Sequence, residues 1–170
     1  ENIFRKRLWN RLYCEARSII AMTENTRRQL CDEFPKLENK LKQIGNPLFN
    51  ETANSSRTFL KCDCLSRRIV FVGRNSYQKN FLAFHNLAKQ CQDLSDLKFD
   101  VFGEFDSSAQ VKYKLHNLKF HGFVTDHWKK LCPICTIHCV TSHWEDPGHA
   151  MLESLFRRIT TVVLNGNAPH

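Results

Sequence analysis

The residues best equipped for chemistry lie between Ser142 and Glu153, where Glu145 and Glu153 stand eight positions apart across Pro147 and Gly148. A carboxylate can accept two hydroxyl protons in a fixed geometry, so such a pair suits a ligand rich in hydroxyl groups. Pro147 and Gly148 mark a turn, the apolar run 136–141 before them reads as a strand, and the segment 148–157 after them reads as a helix. In an α/β protein, ligands sit just outside the carboxyl end of a strand at such a turn. The helix starting at Gly148 aims free N–H groups and a positive dipole end at that point, which suits a phosphate. Glu145 would reach a sugar hydroxyl from the loop and Glu153 from the helix.

Arg74 and Lys79 form a second group, just after Gly73 and the apolar strand 68–72 and ahead of a helix over 79–91. A guanidinium bonds phosphate oxygens in pairs and an ammonium is a compact charge, so the two could hold a diphosphate from both sides. They would also stabilise the charge that develops as it leaves. The plain alternative is a basic surface loop; the 142–153 segment favours the phosphate reading. A third element is 119–124, an apolar strand ending in Gly122, Phe123 and Val124.

Cys132 and Cys135, with His138 and Cys139 close behind, offer zinc-ligand types or a thiol-exchange pair. A zinc site normally draws a second ligand pair from a distance. Here all four crowd into one segment, where a strand would point Cys135 and Cys139 to one face and His138 to the other. Buried structural cysteine is the preferred reading. His121, His127 and His143 are not spaced for a metal.

These positions must be held by something, and the pattern from residue 67 onward supplies it. Strands are expected at 68–72, 98–102, 118–121, 136–141 and 159–164, and helices at 79–91, 107–115, 126–131 and 148–157. Such alternation predicts an α/β, Rossmann-like parallel sheet with helices on both faces. Upstream, 2–16 reads as a basic amphipathic helix with Phe4, Leu8, Trp9, Leu12 and Tyr13 on one face. It could lie on an anionic membrane surface, but packing against a neighbouring domain is preferred. A short strand over 18–22 leads to a helix over 24–34 that Thr23 can cap and Pro35 ends, and a second strand covers 41–44.

The 170 residues are 42% apolar and 25% charged, as expected of a folded domain, with eight dispersed cysteines that argue for reduced thiols in a cytosolic compartment. No run of about 18 apolar residues is present, the length needed to cross a bilayer. The net charge of +8 favours phosphorylated ligands, anionic lipid or nucleic acid without choosing among them.

The glutamate pair, the Gly73–Arg74–Lys79 loop and the 119–124 segment occur in the order found in retaining glycosyltransferases of the GT-B fold, family 4, and from about residue 68 to its end the chain resembles that family. The pair is similar to the family's E-x7-E motif, although the residues between are Asp146, Pro147, Gly148 and His149 rather than the frequent Gly-Phe-Gly. The resemblance implies that Arg74 and Lys79 clamp and stabilise the donor diphosphate. It implies that Glu153 binds the ribose hydroxyls and that Glu145 acts at the transferred sugar. Pro147, Gly148 and His149 would contact sugar or phosphate, and Phe123 and Val124 would edge the base. No metal is expected: there is no Asp-x-Asp signature, and basic side chains and a helix dipole would take the metal's place.

On this reading residues 1–45 end an N-terminal acceptor domain, 46–66 are an interdomain linker, and 67–170 are an incomplete donor-binding domain. The chain, beginning at Glu1, is then expected to be a fragment with little activity alone. The implied partners are a nucleotide-sugar donor and a glycan or lipid-linked acceptor, as in polysaccharide or lipopolysaccharide synthesis. The expected place is the cytoplasm or the inner face of a membrane, with no nucleic acid bound. The competing reading is a non-catalytic α/β module that binds nucleic acid or another polyanion.

Overall fold

The structure is a computed structural model that describes residues 3–45, 47, 66–125, 127–146 and 148–164. The expected linker, 46–66, lies almost wholly outside the described residues, as does Pro147. The described residues up to 47 form one compact unit and those from 66 onward another.

In the first unit, helix α1 (Ile3–Glu15) is followed by strand β1 (Ile19–Ala21), helix α2 (Glu24–Glu33), a 3-10 turn (Pro35–Lys40) and strand β2 (Leu41–Gln43). β1 and β2 pair in parallel, Ile19 opposite Leu41. Thr23 caps α2, its hydroxyl oxygen accepting from the Thr26 N–H at 3.1 Å. Pro35 ends the α-helix and opens the 3-10 turn, where its missing N–H is no loss. Trp9 stacks on Tyr13, whose edge meets Phe34, while Leu8, Trp9 and Leu12 remain exposed.

The second unit is built on β3 (Arg67–Val72), α3 (Phe81–Gln90), β4 (Leu97–Phe102), α4 (Ser107–Lys112), β5 (Leu118–Gly122), β6 (Thr136–Val140), α5 (His149–Phe156) and β7 (Thr160–Val163). The five strands are parallel, in the order β5-β4-β3-β6-β7. The chain builds outward from β3 in one direction and then returns to its other side, so the order reverses between β3 and β6. This is the α/β Rossmann-like architecture expected from the alternating pattern.

Successive strand residues point to opposite faces, and both faces are apolar, as a covered parallel sheet requires. Phe71, Phe99 and Val101 bury against Phe81, Phe84 and Ala88 of α3 and Ala109 of α4. Val70 and Phe102 face the other way, against Trp128, Leu131 and Ile159, with Ala150 of α5 alongside. Phe84 and Phe99 are wholly buried and meet edge to face, 5.6 Å between centroids. Each such side chain contributes roughly 1.5–3 kcal/mol by leaving water. Asp100, 2% exposed on β4, is held by the Arg68 guanidinium of β3 and the His121 imidazole of β5, each at 2.6 Å.

Three local expectations are corrected. The helix expected over 79–91 begins only at Phe81, because Asn80 takes a left-handed backbone at φ 47°. The helix over 107–115 stops at Lys112, after an Asp106 cap that accepts from the Ala109 N–H at 2.7 Å. The segment 126–131 is not an α-helix but a 3-10 turn (His127–Lys130). Its buried residues, Trp128 and Leu131, lie three apart, the spacing a 3-10 turn puts on one face.

Candidate functional site

Strands β3, β4, β5 and β6 end at a common cleft of about 540 Å³ in the second unit. Its floor is main chain. Gly73, Gly103 and Gly122 stand at the ends of three adjacent strands, with the Gly73 N–H donating to the Phe102 carbonyl and the Gly103 N–H to the Gly122 carbonyl, both at 2.9 Å. A side chain at Gly103, where φ is +146°, would place its Cβ 1.9 Å from the Gly73 oxygen. A Cβ at Gly73 would come within 3.1 Å of the Lys79 stem. Gly103 lets the ends of β3 and β4 approach, and Gly73 leaves room for the Lys79 stem.

The walls come from the loops. Arg74, exposed, and Lys79 follow β3; Phe123, Val124 and His127 follow β5; Glu145, Gly148 and His149 follow β6. The two charged groups nearest the order reversal meet directly. Lys79 Nζ lies 2.6 Å from Glu145 Oε1, with side chains 20% and 7% exposed, although the residues are 66 apart in sequence. Ser142 Oγ donates to the same carboxylate oxygen, and Thr141 Oγ1 donates to the Lys79 carbonyl at 3.0 Å. An ammonium has three protons and one is engaged here, so the pair aims Lys79 at the cleft and leaves donors for an anion.

Gly148 caps α5 with a left-handed backbone, φ 74°, and a Cβ there would sit 3.3 Å from Glu145 Cβ. The missing side chain lets the glutamate pass beneath the helix start. The first N–H groups of α5 then face the cleft beside His149, the helix-end arrangement that favours an anion.

Glu153 stands one turn along α5, and its Oε2 accepts from the Trp128 indole N–H at 2.8 Å. Trp128 is 4% exposed, so one oxygen of this carboxylate is fixed from the protein interior while the other remains to accept a hydroxyl. Behind it, His138 is buried and bonds Ser154 Oγ through Nδ1 at 2.9 Å, and Ser154 continues to Thr161 at 2.8 Å. Burial, with the nearby His127 and Lys79, holds the His138 pKa at about 3, so this imidazole is neutral.

The structure thus brings Arg74, Lys79, Phe123, Val124, Glu145, Gly148 and His149 around one cleft, and Glu153 is not among the residues that line it. Sequence reasoning missed Trp128 and Ser142. Ser142, three residues before Glu145, was a visible local signal, whereas nothing in the sequence pairs Trp128 with Glu153. The cysteine cluster gathers only in part. Cys132 and Cys135 lie at a 3-10 turn (Pro133–Cys135) ahead of the strand, where Pro133 opens the turn, the Cys135 N–H closes it on the Cys132 carbonyl and the two thiols meet. His138 turns inward to Ser154, and Cys139 packs on the phenylalanine cluster, its thiol pKa raised by burial. Among the described residues no group of three or more His, Cys, Asp or Glu side chains forms a metal-ligand set. Likewise, no helix among them is long and apolar enough to cross a membrane.

A family model described as "Glycosyl transferases group 1" matches residues 65–169. No curated protein matches the sequence. Among solved structures, the chain is similar to TarM of S. aureus in complex with fondaparinux, alpha-GlcNAc-glycerol and UDP (TM-score 0.74, 18% identity, 96% of this chain and 33% of that one). It is similar to Anabaena HepE in complex with UDP-glucose (TM-score 0.72, 17% identity, 96% and 49%). It is also similar to the pneumococcal O-GlcNAc transferase GtfA in complex with UDP and GlcNAc (TM-score 0.65, 14% identity, 99% and 33%). At these identities the likeness is one of GT-B fold. The chain spans between a third and a half of the length of those structures.

Proposed function

The chain belongs to the glycosyl transferases group 1 family, and from that premise we propose that its cleft holds the nucleotide-diphosphate sugar of a retaining, family-4-type glycosyltransferase. The observation that carries this reading is the Lys79–Glu145 pair, set at the point where the strand order reverses and beside the start of α5. A leaving diphosphate needs cationic donors fixed in advance, and a transferred sugar needs an acceptor for its hydroxyls. The pair supplies both within one contact.

In this assignment Arg74 and Lys79 bind the diphosphate and stabilise the charge that builds as the glycosidic bond breaks. The α5 N–H groups at Gly148 and His149 add to that stabilisation without a metal ion. Glu145 orients Lys79 and binds the sugar. Glu153, fixed by Trp128, takes a ribose hydroxyl, and Phe123 and Val124 flank the base. Residues 67–170 serve as the donor domain, 46–66 as linker and 1–45 as the end of the acceptor domain. The acceptor is a glycan or a lipid-linked glycan, and the net charge of +8 supports work at a cytoplasmic membrane surface.

The test is calorimetric titration of the 170-residue chain with UDP, GDP and ADP, with and without Mg²⁺. Saturable, metal-independent binding of one nucleotide, weakened in Arg74→Ala and Glu153→Ala, is expected. Steeply salt-dependent binding to nucleic acid with no response to any nucleotide would replace this reading with the polyanion module.

A further inference from the structure

On the rim of the cleft, beside the Lys79–Glu145 pair, three aromatic rings lie against one another in solvent. Tyr77 stacks on His143, with centroids 4.6 Å apart and planes 29° apart. Trp144 continues the group, 6.0 Å from Tyr77 and 6.5 Å from His143. Tyr77 is 77% and Trp144 53% exposed. The rings come from two loops 66 residues apart, and the loops are braced to each other. The His143 N–H donates to the Gln78 carbonyl at 2.7 Å, and Gln78 Nε2 donates to the Trp144 carbonyl at 3.1 Å.

We infer that Tyr77, His143 and Trp144 form a stacking platform for a pyranose ring of the acceptor glycan. The inference rests on the proposed donor site and names the class of molecule that receives its sugar. One face of a pyranose presents C–H groups, which suit the electron-rich face of an aromatic ring. Because the braced loops are already ordered, little conformational freedom is lost when a ring lands on them. Position agrees, since Tyr77 and Trp144 are the chain neighbours of the cleft residues Gln78 and Glu145. A sugar stacked there lies next to the one held by Glu145.

Charge selects among occupants. The chain carries a net +8, yet the two loops that carry the platform hold Arg74 and Lys79 against Glu145 and Asp146, so their charges balance. Without an excess of positive charge the platform is poorly suited to nucleic acid or anionic lipid, and a neutral glycan is the fitting partner.

The experiment is saturation-transfer NMR on the 170-residue chain with neutral tetrasaccharides of α- and β-linked glucose, galactose and N-acetylglucosamine, run beside the UDP titration. At least one glycan should receive saturation at its ring C–H protons. Tyr77→Ala and Trp144→Ala should each weaken that binding about three- to tenfold, the loss of one aromatic face, with UDP affinity and melting temperature unchanged. UDP binding with no glycan contact, or glycan contact indifferent to both variants, would overturn the platform and leave the donor site standing. Absence of nucleotide binding would remove the donor site and with it the acceptor role. Binding to phosphatidylglycerol vesicles that both variants abolish would assign the rings to a membrane instead.

Discussion

Replacing Lys79 with Met tests whether the Lys79–Glu145 contact is an interior ion pair or a surface one. Methionine preserves the stem that lies across Gly73 and removes only the charge. The remaining carboxylate would be 7% exposed, with Ser142 as its surviving hydrogen-bond donor. Stranding one member of a buried pair costs about 3–5 kcal/mol. Lys79 itself is one-fifth exposed and Ser142 still bonds the carboxylate, which places the expected loss near the lower figure, about 3 kcal/mol. With a urea m-value of roughly 1–3 kcal/mol/M, the unfolding midpoint should fall by about 1–3 M. Lys79→Met combined with Glu145→Leu should recover most of that loss, within about 1 kcal/mol of wild type, because neither charge is then stranded. The assay is equilibrium urea unfolding of wild type, Lys79→Met and the double variant, followed by circular dichroism. A Lys79→Met midpoint within about 0.5 kcal/mol of wild type at an unchanged m-value would refute the argument, since that is the behaviour of a solvent-screened pair.

Gly103→Ala should be severely destabilised, by more than about 4 kcal/mol, because its Cβ would meet the Gly73 oxygen at 1.9 Å; circular dichroism melting checks this. The His138 pKa is lower in the folded state, about 3 against 6.5, so the unfolded chain takes up the proton first and stability falls as pH drops through that window. The slope attributable to this residue approaches about 1.4 kcal/mol per pH unit, or about 2 kcal/mol lost by pH 5, and should be absent from His138→Asn in urea unfolding across pH. Trp128→Phe deletes the N–H that holds Glu153 and should cost about 1–2 kcal/mol in stability. In paired calorimetric titrations it should also reduce the preference for UDP over 2′-deoxy-UDP, and an undiminished preference would contradict a positioning role for the indole.

The sheet was legible because 68–72 is nearly a continuous apolar run while 98–102 and 118–121 alternate apolar with polar residues, both strand patterns, set between helical segments. The turn at Gly148 was legible for a local reason as well, since a left-handed helix start next to a glutamate calls for glycine. What the sequence hid is pairing across distance. Lys79 finds Glu145, Tyr77 finds His143 and Trp128 finds Glu153 only once β3 and β6 are neighbours, and strand order is not written in any window of residues. The 3-10 turn at His127–Lys130 was misread as α-helix because so short a segment, with buried Trp128 and then Leu131 just beyond it, carries too little periodicity to separate three residues per turn from 3.6. The cysteines failed as a cluster for a related reason. Nearness in sequence suggested a ligand set, but the Pro133 turn keeps only Cys132 and Cys135 together, and the strand that follows sends His138 and Cys139 elsewhere.

The glycine floor has a consequence for how this cleft can change over generations. At Gly103 a side chain collides with the neighbouring strand, at Gly122 and Gly148 the backbone is left-handed, and at Gly73 a side chain would crowd the Lys79 stem. Point mutation therefore has almost nothing to work with beneath the ligand. On the proposed donor reading, a lineage that needed a different sugar or base would have to acquire it on the walls, at positions such as Phe123 and His149, while the floor stayed as it is. Two descendants could diverge widely in what they handle and still share a main-chain surface that superimposes atom for atom.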